Sequence, residues 1–230
     1  MTSEDTPRAW TFRDDTVAAK FDEHVRSQLS WYEPTAQYVA DMAVNFLPKN
    51  GVLYDIGAST GNMTKLLADD IKAKGVVSFS IEPSHQMAKM WAGKGDLLVV
   101  EAEQVDFRAR KPDCAILFLV LMFMLPERRE AFMRSLLRSV TPGGAVFVVD
   151  KGFMHVPNVQ IACKTALMAA KRRAGQHGDA WVTKELSLRG EQRPTDQEQL
   201  ERIFQDEGFA YEQFFQMGEF YGYLAIRRTL

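Results

Sequence analysis

The chain has 230 residues, enough for one domain with a complete core, and its 46% hydrophobic and 25% charged content is that of a globular protein. No apolar run approaches the roughly 20 residues that span a bilayer. The acidic, polar start Met-Thr-Ser-Glu-Asp-Thr-Pro does not read as a secretory signal, so a cytoplasmic protein with no membrane segment is expected. A net charge of −2 argues against binding nucleic acid over the whole surface. Cys114 and Cys163 have no metal-type spacing and read as reduced structural thiols, with no metal site expected.

Residues 1–9 read as a loose tail and 10–230 as a single domain. Weak helical periodicity covers 16–29. A better helix covers 33–47, with Val39, Met42, Ala43, Phe46 and Leu47 on one face and Pro48 and Gly51 ending it. Apolar runs then alternate with helical patterns. Strands are expected at 52–56, 76–81, 97–100, 114–119 and 145–149. Helices are expected at 62–71, in a short piece opened by Pro83-Ser84, and from Pro126 with Phe132, Leu136, Leu137 and Val140 buried. Pro142-Gly143-Gly144 is the turn into the fifth strand. An Ala-rich helix at 159–173 and a glycine-containing loop follow, making 151–190 an insertion. The final helix spans 196–207, with a Thr195/Glu198 capping box and a left-handed stop at Gly208. Two aromatic strands at 211–217 and 220–226 close the chain. The pattern is α/β: a doubly wound, Rossmann-like, mostly parallel seven-stranded sheet with a final antiparallel strand, N-terminal helices and a helical insertion after strand five.

The most informative stretch is Val52-Leu-Tyr-Asp-Ile-Gly-Ala-Ser-Thr-Gly-Asn-Met63. A strand feeding a helix through Gly57, Ala58, Ser59 and Gly61 forms a nucleotide-type crevice, and the two glycines allow a tight turn and close backbone approach to a ligand. The dinucleotide fingerprint Gly-x-Gly-x-x-Gly is absent, and Asp55 lies two residues before the first glycine. A carboxylate there repels a pyrophosphate but can accept bonds from an ammonium group through ordered water, which favours S-adenosylmethionine as cofactor. Glu82, followed by Pro83, ends strand two, where a carboxylate can take both ribose hydroxyls. Glu101 follows strand three, placed to accept from an adenine amino group while the Ala102 backbone reads the adjacent ring nitrogen. Any one of these acids reads equally well as a solvated loop residue, but three after three successive strands favour a binding site.

This arrangement resembles the class I S-adenosylmethionine-dependent methyltransferases over most of the chain. Within that superfamily it is most similar to carboxy-S-adenosylmethionine synthase and tellurite-methyltransferase-like proteins. The residues carrying the resemblance are Phe21-Asp22-Glu23-His24-Val25, 52–57, 121–126, 142–145 and Phe214-Phe215-Gln216. The resemblance implies that Tyr32 touches the methionine end of the cofactor; read without it, Tyr32 packs at a helix start. It also puts Phe118 where the synthase has a cofactor-side asparagine. The synthase's arginine for the extra carboxylate would fall in Thr183-Lys184-Glu185-Leu186-Ser187, where Leu186 cannot pair with a carboxylate and Arg189 lies three residues on. The departures disfavour carboxylation and leave methyl transfer to a small molecule or RNA as the leading reading. The synthase-like activity and a non-catalytic cofactor-binding partner protein are the alternatives.

No catalytic residue is assigned. Asp150, Lys151, His155, Glu219 and Tyr221 lie near strand ends, but none belongs to a specific motif. His155 and His177 are the histidines expected nearest a site, and Phe118, Phe123, Phe153, Trp181, Phe214, Phe215 and Phe220 supply an aromatic stock for core and acceptor pocket. Residues 151–190 carry seven basic side chains (Lys151, Lys164, Lys171, Arg172, Arg173, Lys184, Arg189) against Asp179 and Glu185. That excess fits either an anionic acceptor at Lys171, Arg172 and Arg173 or a solvated face. Self-association into a homodimer through Val159, Ala162, Ala166, Leu167 and Ala170 is the preferred expectation.

Overall fold

The computed structural model describes residues 11–173, 188 and 191–229. The tail at 1–9, most of the loop after residue 173, and His177, Asp179, Trp181, Thr183–Ser187 and Arg189 therefore lie outside the described residues. Strands β1 (Val52–Ile56), β2 (Val77–Ile81), β3 (Asp96–Leu98), β4 (Cys114–Phe118), β5 (Ala145–Lys151), β6 (Phe209–Met217) and β7 (Phe220–Arg227) form one sheet in the order β3-β2-β1-β4-β5-β7-β6. The first five pair in parallel, while β7 is antiparallel to both β5 and β6. Helices are α1 (Asp15–Gln28), α2 (Tyr32–Ala43), α3 (Asn62–Leu66), α4 (Ala68–Lys74), α5 (His85–Met90), α6 (Pro126–Ser139), α7 (Pro157–Arg173) and α8 (Gln197–Asp206).

Near-continuous apolar strands are what a parallel sheet covered on both faces requires, and every residue of β4 is buried. Alternation along the strands splits the core in two. Tyr54, Ile56, Ala115, Leu117, Val146 and Val148 face α6 and α8 through Phe132, Leu136, Ile203 and Phe204. Leu53, Ile116, Phe118, Phe147 and Val149 face the other layer, where Val39, Ala43, Met63, Leu67 and Ile71 pack. Cys114 is buried in this second layer, and neither cysteine is in a disulfide.

Several element ends differ from expectation, each for a physical reason. Strand three stops at Leu98 because its only partner, β2, ends there: the Glu82 N–H donates to the Leu98 carbonyl as the last rung. The helix expected over 62–71 breaks at Leu67, which leaves helical geometry at φ −91° and ψ 6°. Asp69 and Asp70 then complement the N-terminal dipole of the second piece. The Thr195/Glu198 capping box does not form. Asp196 caps α8 by accepting from the Gln199 N–H, and the Thr195 hydroxyl bonds the Lys151 carbonyl and the Tyr221 hydroxyl. Gly208 has the expected left-handed conformation, φ 78°.

Two carboxylates, one half-buried and one fully buried, fasten the sheet's loops. Asp113 accepts from the Val52 N–H at 2.8 Å and the Thr141 hydroxyl at 2.7 Å, tying β1 to the turn before β5. Asp150, fully buried at the end of β5, accepts from the N–H groups of Val120 (3.0 Å), Leu121 (2.6 Å), Met122 (3.1 Å) and Lys151 (2.7 Å). Burial still pushes its carboxyl up to about 6, against those four donors. An amide in its place would aim two N–H groups at backbone N–H groups. Asp150→Asn should therefore lower the unfolding free energy in a denaturant titration by about 3 kcal/mol, the scale of losing bonds to a charged acceptor and leaving donors unpaired.

Candidate functional site

Strand order reverses between β1 and β4, so the chain leaving β1 and the chain leaving β4 diverge and open a crevice at the carboxyl ends of the strands. A cavity of about 430 Å³ occupies it. Its lining includes Tyr32, Asp55, Gly57, Ala58, Ser59, Glu82, Pro83, Glu101, Ala102 and Phe118. Of the predicted site residues only Gly61 does not line it. A Cβ there would stand 2.5 Å from the Gly93 backbone nitrogen, so this glycine, at φ +85°, serves the packing of the loop after α5 rather than ligand approach.

The turn after β1 is built on positive φ angles at Gly57 (69°) and Ser59 (52°). A Cβ on Gly57 would meet a Val120 methyl at 2.7 Å, so the turn and the segment after β4 close on each other at this point. The Ala58 N–H donates to the Ile81 carbonyl, anchoring the turn to the end of β2. Glu82 completes the anchor: one oxygen accepts from the Ser59 N–H at 2.9 Å and the other from the Ser84 N–H at 2.8 Å. The acid expected to meet ribose hydroxyls thus also holds both loops that frame the cavity.

Asp55 is 2% exposed, and its Oδ2 has no hydrogen-bond partner. Burial, reinforced by the nearby Glu82 carboxylate, pushes its carboxyl up to about 7. Burial likewise raises Glu82 above the usual carboxylate range, although the Ser84 and Ser59 N–H groups oppose it. The Ser59 hydroxyl is a second buried lining group without a partner. A pair of buried acids and an unpaired hydroxyl facing one cavity suit a cationic, hydrogen-bonding ligand.

The far wall comes from the N-terminal helices. Tyr32 packs edge-on against Phe118, ring centroids 5.3 Å apart, and its buried hydroxyl, raised in pKa mainly by burial, is 3.4 Å from the Asn62 amide. Asp22 on α1 accepts from the Thr60 hydroxyl (2.7 Å) and the Asn62 amide (2.8 Å), fastening α1 to the turn after β1. Through this latch Phe21, His24, Val25 and Gln28 enter the cavity wall. In the sequence Phe21–Val25 stands only as part of the resemblance, and the histidines expected nearest a site are His155 and His177; His155 is exposed and does not line the cavity, and His177 lies outside the described residues. Spacing of Phe21, His24, Val25 and Gln28 along one helix face was the available signal.

Of the other groups near strand ends, Asp150 and Tyr221 are structural. Asp150 is committed to four backbone donors, and Tyr221 is fully buried against Thr195, its hydroxyl raised well above the usual range by burial and by Asp150. Lys151 and Glu219 do line the cavity, as an ion pair at 2.9 Å. Leu167 also turns into the cavity, away from the face expected for self-association, whereas Val159, Ala162, Ala166 and Ala170 are exposed. Among the described residues no group of His, Cys, Asp or Glu side chains could hold a metal ion.

Residues 54–148, the span from β1 to β5 that frames the cavity, match a family model described as a methyltransferase domain. The chain is 25% identical over 225 residues to a carboxy-S-adenosyl-L-methionine synthase of Staphylococcus epidermidis, covering 96% of this chain and 98% of that protein. Among solved structures, the plantazolicin methyltransferase BpumL, in complex with a monoazolic desmethylPZN analog and SAH, has a TM-score of 0.65 at 12% identity, over 93% of this chain and 89% of that one. A SAM-dependent methyltransferase from Archaeoglobus fulgidus has a TM-score of 0.56 at 12% identity, over 84% and 94%. A methyltransferase domain is thus laid over β1 to β5, and the chain is similar in fold and strand order to S-adenosylmethionine-dependent methyltransferases, with buried acids at its strand tips.

Proposed function

We propose that this cavity binds S-adenosylmethionine and presents its methyl group to a small-molecule acceptor. The observation that carries the reading is Asp55, a buried cavity-lining carboxylate with an unpartnered oxygen. It would receive the methionine ammonium directly or through water, with Ser59, Gly57 and Ala58 alongside and Tyr32 and Phe118 enclosing that end. Glu82 would take ribose hydroxyls on the lone pairs its two backbone donors leave free. Pro83, Glu101 and Ala102 would border the adenine. Bound there, S-adenosylmethionine supplies an electrophilic methyl on a sulfonium; the residues orient it and exclude water. A small acceptor is favoured over RNA because α1 and α7 both contribute to the cavity wall and the net charge is −2.

The length of the match to the Staphylococcus synthase supports a second reading, conversion of the cofactor to a carboxylated form. Against it stand Phe118 at the cofactor wall and Leu186 in place of an arginine. Mass spectrometry of ligand co-purified with the protein separates the two: unmodified S-adenosylmethionine or S-adenosylhomocysteine is expected, and a carboxylated sulfonium would favour the second. We further place the protein in the cytoplasm; no helix among the described residues is long and apolar enough to cross a membrane.

Two measurements test this reading. Because Asp55 must be ionised to attract an ammonium group and its carboxyl sits near 7, affinity should fall as pH drops through that value. Calorimetry should find binding of S-adenosylmethionine about fivefold weaker at pH 6 than at pH 7.5, with the slope lost in Asp55→Asn. Glu82→Ala should weaken binding by about 1.5–3 kcal/mol per lost charge-assisted bond and lower the stability of the free protein too, since Ser59 and Ser84 lose their acceptor. We also propose a homodimer formed through the exposed Val159, Ala162, Ala166 and Ala170 face of α7; glutamates at 166 and 170 should give a monomer by light scattering with cofactor binding retained, and a wild-type monomer at micromolar concentration would end this proposal.

A further inference from the structure

Besides the residues assigned to the cofactor, the cavity is lined by aromatic and aliphatic side chains, by polar ones such as His24, Gln28 and Lys171, and by two ion pairs, of which Arg128–Glu103 is the looser at 3.8 Å and Lys151–Glu219 the closer. Lys151, at the last position of β5, and Glu219, just before β7, form an ion pair at 2.9 Å with side chains only 18% and 12% exposed. Lys151 Nζ also donates to Gln192 Oε1 at 3.2 Å and lies 5.8 Å from the centroid of Phe220. Phe118, Leu29 and Leu167 line the same cavity.

An ammonium group has three N–H donors. Among the described residues two are engaged, by Glu219 and Gln192, and one is left. Glu219 uses a single oxygen; among the described residues its Oε2 accepts no hydrogen bond. The pair therefore offers one spare donor and one spare charged acceptor, side by side, to whatever enters the cavity. Water can answer both in the open cavity, but an occupant that displaces this water must replace its bonds, so one that answers both groups is preferred.

The nucleophilic atom that fits is a hydroxyl oxygen. It accepts from Lys151 on one lone pair, donates its proton to Glu219, and retains a second lone pair for the methyl carbon. A neutral amine has only one lone pair, which the Lys151 N–H would compete for. A thiol hydrogen-bonds weakly to both groups. Resting on the assignment of the cavity to S-adenosylmethionine, we propose that the methyl acceptor is a hydroxyl on an apolar ring, that Glu219 is the general base, and that Lys151 positions Glu219 and the oxygen. In the step, the oxygen–carbon bond forms as the carbon–sulfur bond breaks, the electron pair of the broken bond stays on sulfur, and the hydroxyl proton passes to Glu219 Oε2. The products are a methyl ether and S-adenosylhomocysteine.

The probes are 2-naphthol, 2-naphthylamine and 2-naphthalenethiol, which share a ring and differ in the nucleophile, with 2-methoxynaphthalene as the analogue lacking a donor proton. The wild-type protein should methylate the naphthol at least tenfold faster than the amine or thiol. In Glu219→Gln, kcat/KM for the naphthol should fall about 100-fold, the usual range for a lost general base. Binding of S-adenosylmethionine should stay within twofold. Glu219→Asp, which keeps a carboxylate, should recover at least tenfold over the glutamine variant. Independently of turnover, calorimetry on protein saturated with S-adenosylhomocysteine should show Glu219→Gln weakening 2-naphthol at least fivefold while leaving 2-methoxynaphthalene unchanged. No methylation of the naphthol, transfer preferring the amine or thiol, or a glutamine variant as active as the wild type overturns the proposal while leaving the cofactor assignment standing. A wild-type protein that does not bind S-adenosylmethionine removes both.

Discussion

Two carboxylates buried at the tips of neighbouring strands, Asp55 and Glu82, set the terms for the rest of this site. A buried anion must be neutralised, hydrogen-bonded or matched by a cation. Glu82 is hydrogen-bonded: it takes the Ser59 and Ser84 N–H groups and so fixes the two loops between which a ligand must lie. Asp55 is left with an unpaired oxygen beside the same cavity, and its carboxyl is pushed up to about 7 by burial and by Glu82. One acid shapes the cavity and the other gives it an electrostatic preference for a cation.

The opposite side of the crevice depends on a third buried acid. Asp150 gathers the N–H groups of Val120, Leu121 and Met122 onto the end of β5, which fixes how the segment after β4 runs past the cavity. The next residue is Lys151. Because strand residues alternate faces, committing Asp150 to the loop turns Lys151 toward the other side, where it meets Glu219 at the start of the closing strand. The N-terminal helices complete the enclosure through the Asp22 contacts to Thr60 and Asn62. Each wall is thus tied by a short side chain bonding backbone or polar groups of a segment distant in sequence, a rigid support for a site that must orient its ligand.

Helices and strands with strong periodicity were readable in advance. β1 and the buried face of α6 match expectation because apolar spacing is a local property. The acid-tipped strands and the glycine turn were readable for the same reason, since residues bordering a cavity at a strand end are neighbours in sequence. What could not be read was which partner each polar group would find. Thr195 looked like a helix cap and is instead a buried partner of Tyr221, while Asp196 caps α8. Gly61 looked like a ligand-facing glycine and instead admits the Gly93 backbone. Asp150 and Tyr221 looked available for chemistry and are consumed by packing and backbone donors.

The amino-acid sequence alone therefore determined the class of fold, the crevice between β1 and β4, and its lining of carboxylates at strand tips, because these follow from hydrophobic period, turn residues and the positions of acids relative to strands. Only the tertiary structure decided the enclosure and the pairing of Lys151 with Glu219. The latch of α1 through Asp22, the dual use of Glu82 and the meeting of Lys151 with Glu219 each join residues more than twenty positions apart. Such pairings are set by the sheet order and by the competition of every buried polar group for a partner, and neither is a property of a local stretch of chain.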